Sequence, residues 1–572
     1  MSAKIARNFR LTEYKRIMRL GSSVIIILLF FFLALSSLVD DSPTMDEQNH
    51  IARGLAFLRT GDPRLSLEHP PLVNSISALM LLTMPELRLP TDHPSWERRE
   101  GWYEFADLFM WQYNHDVGRV VFLARFPVVL LSLALGLAGF RFAGRLWGGR
   151  AALPALILLL FEPNLLAHGR YATTDMGGVL FTFLTTCFLW LLWQYPGKQR
   201  PRMWLAVTLS MGMAFGSKLS SLGFVFIWIT LAFLPLYHDE TGRYLRGLWQ
   251  RLLLLGSAGL ASLMVVWAIF GLEWSQFNFV NAALAPMNRI SGPMPTFWEG
   301  LEQILLLSGG RSYAFLLGQF SESGWIGYFP FAFLVKTPIV LIVLVVAAIF
   351  LLLKNKITRV AAIFLLVSGI AFYLLAMQSA LNIGYRHVLP ALPYFLLLIS
   401  GLASPELRRM RFARLDPGKL LTGGLSILIV VTLWIHPHYL SYFNLIAGGP
   451  ENGYRVLTDS NVDWGQDLLR LKSWMEENEI NIINLGWFGT TDPDYYGISY
   501  SPLPGLGRDK FFRLWWELPF NPAAPEPGVY AISASSIWEP PLRSEEKQVY
   551  AWFRDREPDD RIGYSILIYH VR

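Results

Sequence analysis

The chain has 572 residues, 53% of them hydrophobic, 14% aromatic and only 16% charged. Soluble domains carry about 25% charged residues, so this composition excludes an ordinary soluble protein and indicates an integral membrane protein. The net charge of +6 and the pI near 9.2 arise in loops between apolar runs, a topological signal rather than a nucleic-acid surface.

The N-terminal tail, residues 1–20, carries Lys4, Arg7, Arg10, Lys15, Arg16 and Arg19. It leads into the first of about eleven apolar runs, near 21–39, 118–140, 151–167, 176–194, 203–217, 219–236, 252–270, 330–353, 360–377, 388–402 and 420–436. Runs 203–217 and 388–402 are short for a full crossing. No small-residue cleavage site ends the first run, so a cleaved signal is not expected. The one cysteine, Cys187, lies inside an apolar run, so no disulfide framework exists. No internal repeat or low-complexity tract is present.

Basic residues set the orientation. They recur in every second loop: Arg141, Arg145 and Arg150; Lys198, Arg200 and Arg202; Arg243, Arg246 and Arg251; Lys354, Lys356 and Arg359; Arg408, Arg409, Arg411, Arg414 and Lys419. These loops and the N-tail are expected in the cytoplasm of a bacterial cell, with the chain in its inner membrane. Three regions then fall outside: the loops 40–117 and 271–329 and the tail 437–572. The expected architecture is a polytopic all-α bundle over 21–436, followed by a small extracytoplasmic α/β domain over 437–572. In that tail, strand-like runs 482–488, 529–533 and 564–571 accompany a capped helix from about Asp463 to Asn478.

The loop after the first span is the most informative stretch. Ser42-Pro43-Thr44 gives helix start signals and Gly61-Asp62-Pro63 a stop. Between them Ile51, Leu55 and Leu58 form an apolar stripe, while Asp46, His50 and Arg53 share another face. His69-Pro70-Pro71-Leu72 then opens an apolar run to Met84 that is too short to cross a bilayer of about 30 Å at 1.5 Å per residue. Two helices lying at the membrane interface are expected. Asp46 and Glu47 are acids at a helix start, where the helix dipole alone would favour them.

An acidic pair, a Gly-Asp break and then His-Pro-Pro-Leu in the first outer loop resemble the protein O-mannosyltransferase-like branch (glycosyltransferase family 39) of the GT-C membrane glycosyltransferases. Bacterial phospholipid-carrier-dependent transferases, including the aminoarabinose transferases, share that scaffold. The resemblance implies that Asp46 is catalytic, with Glu47 beside it and His50 and His69 in support. It also implies a supporting role for Asp175, which follows the tight turn His168 to Thr174 and otherwise reads as a helix cap.

Four cations sit at span ends where the orientation rule does not want them: Arg125, Lys218, Lys336 and Arg386, the last followed by His387. Lys336 lies about 9 Å along its expected span. Each could snorkel to the headgroups. As a set they are expected to hold the phosphate of a lipid carrier, and the segments Phe215 to Leu219, Phe333 to Pro338 and Tyr385 to Pro390 resemble those of the same transferases. In the last, His387 replaces the family's aromatic residue, which leaves its role open. The aromatic stretch Gly318 to Pro330 reads as an interfacial belt or as a wall for carrier or sugar. Asp46, Glu47, His69 and Asp175 offer oxygen and imidazole donors to a divalent metal such as Mg, Mn or Zn, although no ligand spacing demands one. The tail segment Asp459 to Asp467 resembles a family motif with no assigned step.

The resemblance implies an inverting glycosyl transfer from a polyprenyl-phosphate-linked sugar, hexose or pentose, to a hydroxyl of a protein, lipid or glycan acceptor. The partners are thus the donor, the acceptor and membrane lipid, with no nucleic acid. No Walker-type or Rossmann-type glycine pattern is present, consistent with a lipid-linked donor. A transporter or flippase for a lipid-linked glycan is the alternative from another class, and it predicts repeat symmetry and midplane polar sites that the sequence lacks. An inactive scaffold would have no need of the acidic pair.

Overall fold

The computed structural model describes residues 21–98, 101–194, 199–235, 244–308, 314–408, 416–505, 520–540, 542 and 544–572. The N-tail 1–20 with its six cations, and Lys198, Arg243, Arg409, Arg411 and Arg414, lie outside the described residues.

Helices occupy each apolar run. Among the described residues six are long and apolar enough to cross a membrane: Val117–Trp147, Asp175–Gln194, Tyr244–Ile269, Arg359–Ala376, Tyr385–Ala403 and Pro417–Ile435. This is a membrane protein. Asp175–Gln194 is central, 89% buried over its apolar window, whereas Tyr244–Ile269 is peripheral at 22%. The remaining runs form helices of unequal length, so that among the described residues six helices, or seven with the bent pair counted as one, reach span length where about eleven spans, two of them short, were expected. Gly21–Ser36, Ala152–Phe161 and Leu219–Phe233 are shorter apolar helices. The run expected as one span over 330–353 is instead two helices, Tyr328–Lys336 and Ile339–Lys354, bent by 111°. Pro338 explains the break: it lacks an amide donor and pushes Thr337 to an extended ψ of 134°. Lys336 therefore ends a helix rather than lying inside a continuous one.

The first loop folds as its pattern predicts. Helix α1, Glu47–Thr60, stops at Gly61, whose φ of 73° suits glycine. Helix α2, Pro71–Ala78, starts on the second proline and runs into a 3₁₀ turn, Leu79–Thr83. Ile51 and Leu55 are fully buried in a core shared with Phe105, Phe109, Val120 and Ala124. That core fastens the loop to the start of the long helix Val117–Trp147, called α3. Helices α1 and α2 touch through Gly54, where an added Cβ would lie 2.0 Å from the Asn74 carbonyl oxygen.

In the tail, five strands form one sheet in the order β2-β1-β3-β5-β4, where β1 is Ile483–Gly486, β2 Tyr500–Pro502, β3 Gly528–Ser533, β4 Asp560–Ile562 and β5 Ile566–Val571. Strands β2, β1 and β3 run parallel; β3, β5 and β4 pair antiparallel. Helix α4, Leu468–Glu477, covers one face through Leu468, Leu471 and Met475. The other face, with Tyr530, Ile532, Leu567 and Tyr569, joins the same continuous core as the span bundle. Strands β2 and β4 carry too few residues for an alternation signal. Helix α4 begins at Leu468 rather than Asp463, because the preceding residues are drawn into contacts with the first loop.

Gly54→Ala should destabilise the protein by about 1–3 kcal/mol through overpacking, seen as a lower thermal midpoint in detergent. Gly256→Ala, where nothing lies within 4 Å of the new Cβ, should not lower it.

Candidate active site

Glu47 is fully buried, and both its oxygens are taken. Arg125 on α3 donates from Nε to Oε1 at 2.8 Å and from Nη2 to Oε2 at 2.7 Å. The Thr44 amide donates to Oε2 at 2.8 Å and the Ala172 amide to Oε1 at 2.7 Å. Arg125 also reaches the carbonyls of Asp41 and Ser42, at 3.0 and 2.9 Å. Such a buried, bidentate pair needs every lone pair satisfied, and this one is. It corrects two expectations: Glu47 has no oxygen left for catalysis or metal, and Arg125 has no free fork for a phosphate. The pair anchors the start of α1. Beside it, Asp41 is held by Arg170, by Arg470 of the tail at 2.6 Å and by the Tyr171 hydroxyl at 2.8 Å. Burial raises its carboxyl, but Arg170, Arg470 and Arg125 outweigh that and bring it down to about 2.

Asp46 is different. It stands at the N-cap of α1 without capping it, and its side chain is 21% exposed. Arg386 donates from Nη1 to its Oδ2 at 2.7 Å. The Arg386 guanidinium lies 4.2 Å over the Trp464 ring and also interacts with Asp175 and Asp459. Asp175 is paired with Lys218, whose side chain is 18% exposed. The structure thus brings Asp46, Arg386, Asp175 and Lys218 into one network. His50 and His69 flank it, their rings 4.7 Å apart and edge-to-face. His50 Nδ1 meets Asn74 Oδ1 at 2.9 Å, and His69 Nδ1 lies 3.4 Å from the Thr174 hydroxyl. Burial pulls His50 down to about 4, against the charge of Asp46. Burial, then the proximity of His50 and the charges of Arg53 and Lys218, hold His69 well below its usual value. Both are neutral imidazoles at neutral pH, able to accept or donate but not to serve as cations.

Lys336 is not part of this network. Its ammonium is buried against the carbonyls of Leu440 and Asn461, at 2.7 and 2.5 Å, and over the Phe443 ring. It ties the bent helix pair to the tail, which corrects its expected role at a phosphate. His387 packs against Phe329, and its Nε2 has no hydrogen-bond partner among the described residues. Among the described residues no group of three or more His, Cys, Asp or Glu side chains is placed to hold a metal. The proposed donor set of Asp46, Glu47, His69 and Asp175 fails on chemistry as well, since Arg125 takes up Glu47.

Sequence reasoning missed the tail's part in this site. Met45 and Ser42 donate their amides to the carbonyls of Trp464 and Gln466, at 2.8 and 2.9 Å. The Ser42 hydroxyl bridges Gly465 O at 2.9 Å and the Leu468 amide at 3.1 Å. Thr490 and Thr491 donate their hydroxyls to the carbonyls of Met45 and Pro43. On its other side the same segment holds the Arg386 loop: Ser460 donates to Ile383 O, and Asn461 accepts from the Tyr385 amide. The clamp is itself braced by Asp463, whose carboxylate accepts from the amides of Gly465 and Ser535. The density of polar groups over Asp459 to Asp467 was the available signal; its partners lie some 75 to 425 residues away in sequence, outside any local pattern.

Residues 108–272 match the sequence family described as dolichyl-phosphate-mannose-protein mannosyltransferase. The matched stretch holds Arg125, Asp175 and Lys218 but not Asp46 or Arg386. It covers less than a third of the chain and begins after the first-loop motifs. ArnT from Cupriavidus metallidurans is similar in structure in its apo state, at 15% identity and a TM-score of 0.46, covering 96% of this chain and 98% of its own. The same protein bound to undecaprenyl phosphate gives 14% identity and 0.46, with 96% and 97% covered. The oligosaccharyltransferase of Archaeoglobus fulgidus in complex with Zn and sulfate gives 12% and 0.42, covering 87% of this chain and 59% of its own. No curated protein sequence matches this chain.

Glu47→Gln should cost about 3–5 kcal/mol, because it strands a buried guanidinium, whereas Asp46→Asn, partly exposed and still able to accept from Arg386, should leave the thermal midpoint nearly unchanged. A second expectation concerns pH. Burial raises Asp463 from 3.8 to about 8 and Asp459 to about 7. Both acids are therefore favoured uncharged in the fold, and their contribution is complete below about pH 4 and lost as pH rises through 7–8. Melting curves from pH 5 to 9 should show a decline in wild type that is shallower in Asp463→Asn.

Proposed function

We propose that the protein is a membrane glycosyltransferase that moves a sugar from a polyprenyl-phosphate carrier to an acceptor hydroxyl, with inversion. The observation that carries this reading is Asp46: a partly exposed carboxylate at the start of an interfacial helix, paired with Arg386 and grouped with a second carboxylate–ammonium pair, Asp175–Lys218. Asp46 accepts the proton of the acceptor hydroxyl, whose oxygen attacks the anomeric carbon. The bond from that carbon to the carrier's phosphate oxygen breaks on the opposite face, through an oxocarbenium-like state, and the phosphate leaves with the bonding pair. Arg386 and Lys218, each partly exposed, meet the developing phosphate charge. Asp175 orients Lys218, and the neutral pair His50 and His69 lines the site without adding charge.

The proposed setting is the extracytoplasmic face of the cell membrane, from the bias of basic residues to alternate loops. A donor carried by lipid enters from the bilayer, which accounts for a site at the end of a helix bundle without a nucleotide-binding fold. The tail sheet closes over the same end and is assigned here to holding the site.

With radiolabelled polyprenyl-phosphate sugars and a membrane extract as acceptor source, wild-type protein should release label from the lipid fraction. Asp46→Asn should lose at least about 100-fold of that rate while retaining donor binding. Full activity in the variant would place the base elsewhere; no turnover of any donor would favour a transporter.

A further inference from the structure

A buried cation lies two helical turns from Asp46 and takes no part in the mechanism above. Arg53 is 3% exposed, yet its Nε and Nη1 have no hydrogen-bond partner among the described residues. Its nearest acid is Glu68, with Nη2 to Oε2 at 3.9 Å, beyond hydrogen-bond length. Its guanidinium sits 5.1 Å from the ring of Trp102. Asn49, one turn earlier on the same helix face, has a buried Oδ1 without a partner, and so does the Trp102 indole nitrogen. Tyr103 and Asp46 both act electrostatically on Arg53 and Glu68 or on one of them, so these groups share one locality. Glu68, like Asp46, is 21% exposed, so the group has one edge at the surface while the polar atoms of Asn49, Arg53 and Trp102 lie beneath it.

Leaving a buried guanidinium and amide oxygen unmatched costs free energy unless something supplies both acceptors and donors. A sugar ring does: its several hydroxyls together can accept from Arg53 and Trp102 and donate, one hydrogen each, to Glu68 or Asn49, while aromatic side chains suit its apolar face. The charge balance decides the class. A uronic acid would bring a carboxylate against Glu68, since Asp46 is already paired with Arg386. An amino sugar would bring an ammonium against Arg53. We infer that Asn49, Arg53, Glu68 and Trp102 form the subsite that reads the hydroxyls of an uncharged sugar next to Asp46. This rests on the transferase reading for the identity of the carrier but not for the sugar contact itself.

The test separates the two. In the Asp46→Asn background, titration calorimetry compares bare undecaprenyl phosphate with the same carrier bearing glucose, mannose, 4-amino-arabinose or glucuronic acid. A neutral hexose should tighten binding about tenfold over the bare carrier, and Arg53→Lys or Asn49→Ala should remove most of that increment. Binding of the bare carrier should not change in either variant. Asn49→Ala, a smaller perturbation, serves if Arg53→Lys does not fold. Equal affinity for bare and neutral-sugar carriers, a preference for the acidic or amino sugar, or an increment untouched by both substitutions would overturn the inference, even if wild type transfers sugar. A sugar increment without transfer would instead uphold the subsite and count against the transferase reading.

Discussion

The buried pair of Glu47 and Arg125 is the contact on which the site depends. Two hydrogen bonds join them, and four more tie them to the backbones of residues 41, 42, 44 and 172. The pair thereby fixes the first residue of α1 to the long helix α3 and to the turn ahead of the central helix. Asp46, one residue before, has its backbone position set by this arrangement while its own side chain, partly exposed, pairs with Arg386. Adjacent acids in sequence thus have different settings, decided by burial: Glu47 is a fully desolvated structural ion, whereas Asp46 is partly exposed and is the base in the proposed reaction.

The second support comes from far along the chain. Residues 459–468 and 490–491 hold the loop from Ser42 to Met45 by its backbone and stack Trp464 on Arg386. Backbone hydrogen bonds of this kind do not depend on the identity of Pro43 or Met45, so nothing in the first loop announces them. The tail sheet shares one continuous core with the bundle. The same segment carries the buried acids Asp459 and Asp463, which burial pushes above the usual carboxyl range.

Cations illustrate how far a topological argument reaches. Arg125, Lys218, Lys336 and Arg386 share one irregularity in the sequence, a place at odds with the expected orientation. It has two different causes. Lys218 and Arg386 are partly exposed and paired with acids of the network, whereas Arg125 and Lys336 are saturated by buried partners. Position along a helix signals that a charge needs a partner; it does not say whether the partner is protein or ligand.

By itself the sequence determined the membrane character, the placement of helices in the apolar runs, and both helices of the first loop with Asp46 and Glu47 at the start of one. Those are local quantities: apolar periodicity, caps, prolines and the clustering of acids beside a span. Only the tertiary structure decided that Glu47 is structural, that the run at 330–353 bends sharply at Pro338, that the metal donor set does not assemble, and that Trp464 reaches the site. Each of these depends on which distant group fills the space beside a side chain, and a charge or carbonyl is satisfied by contacts in three dimensions that no sequence period encodes.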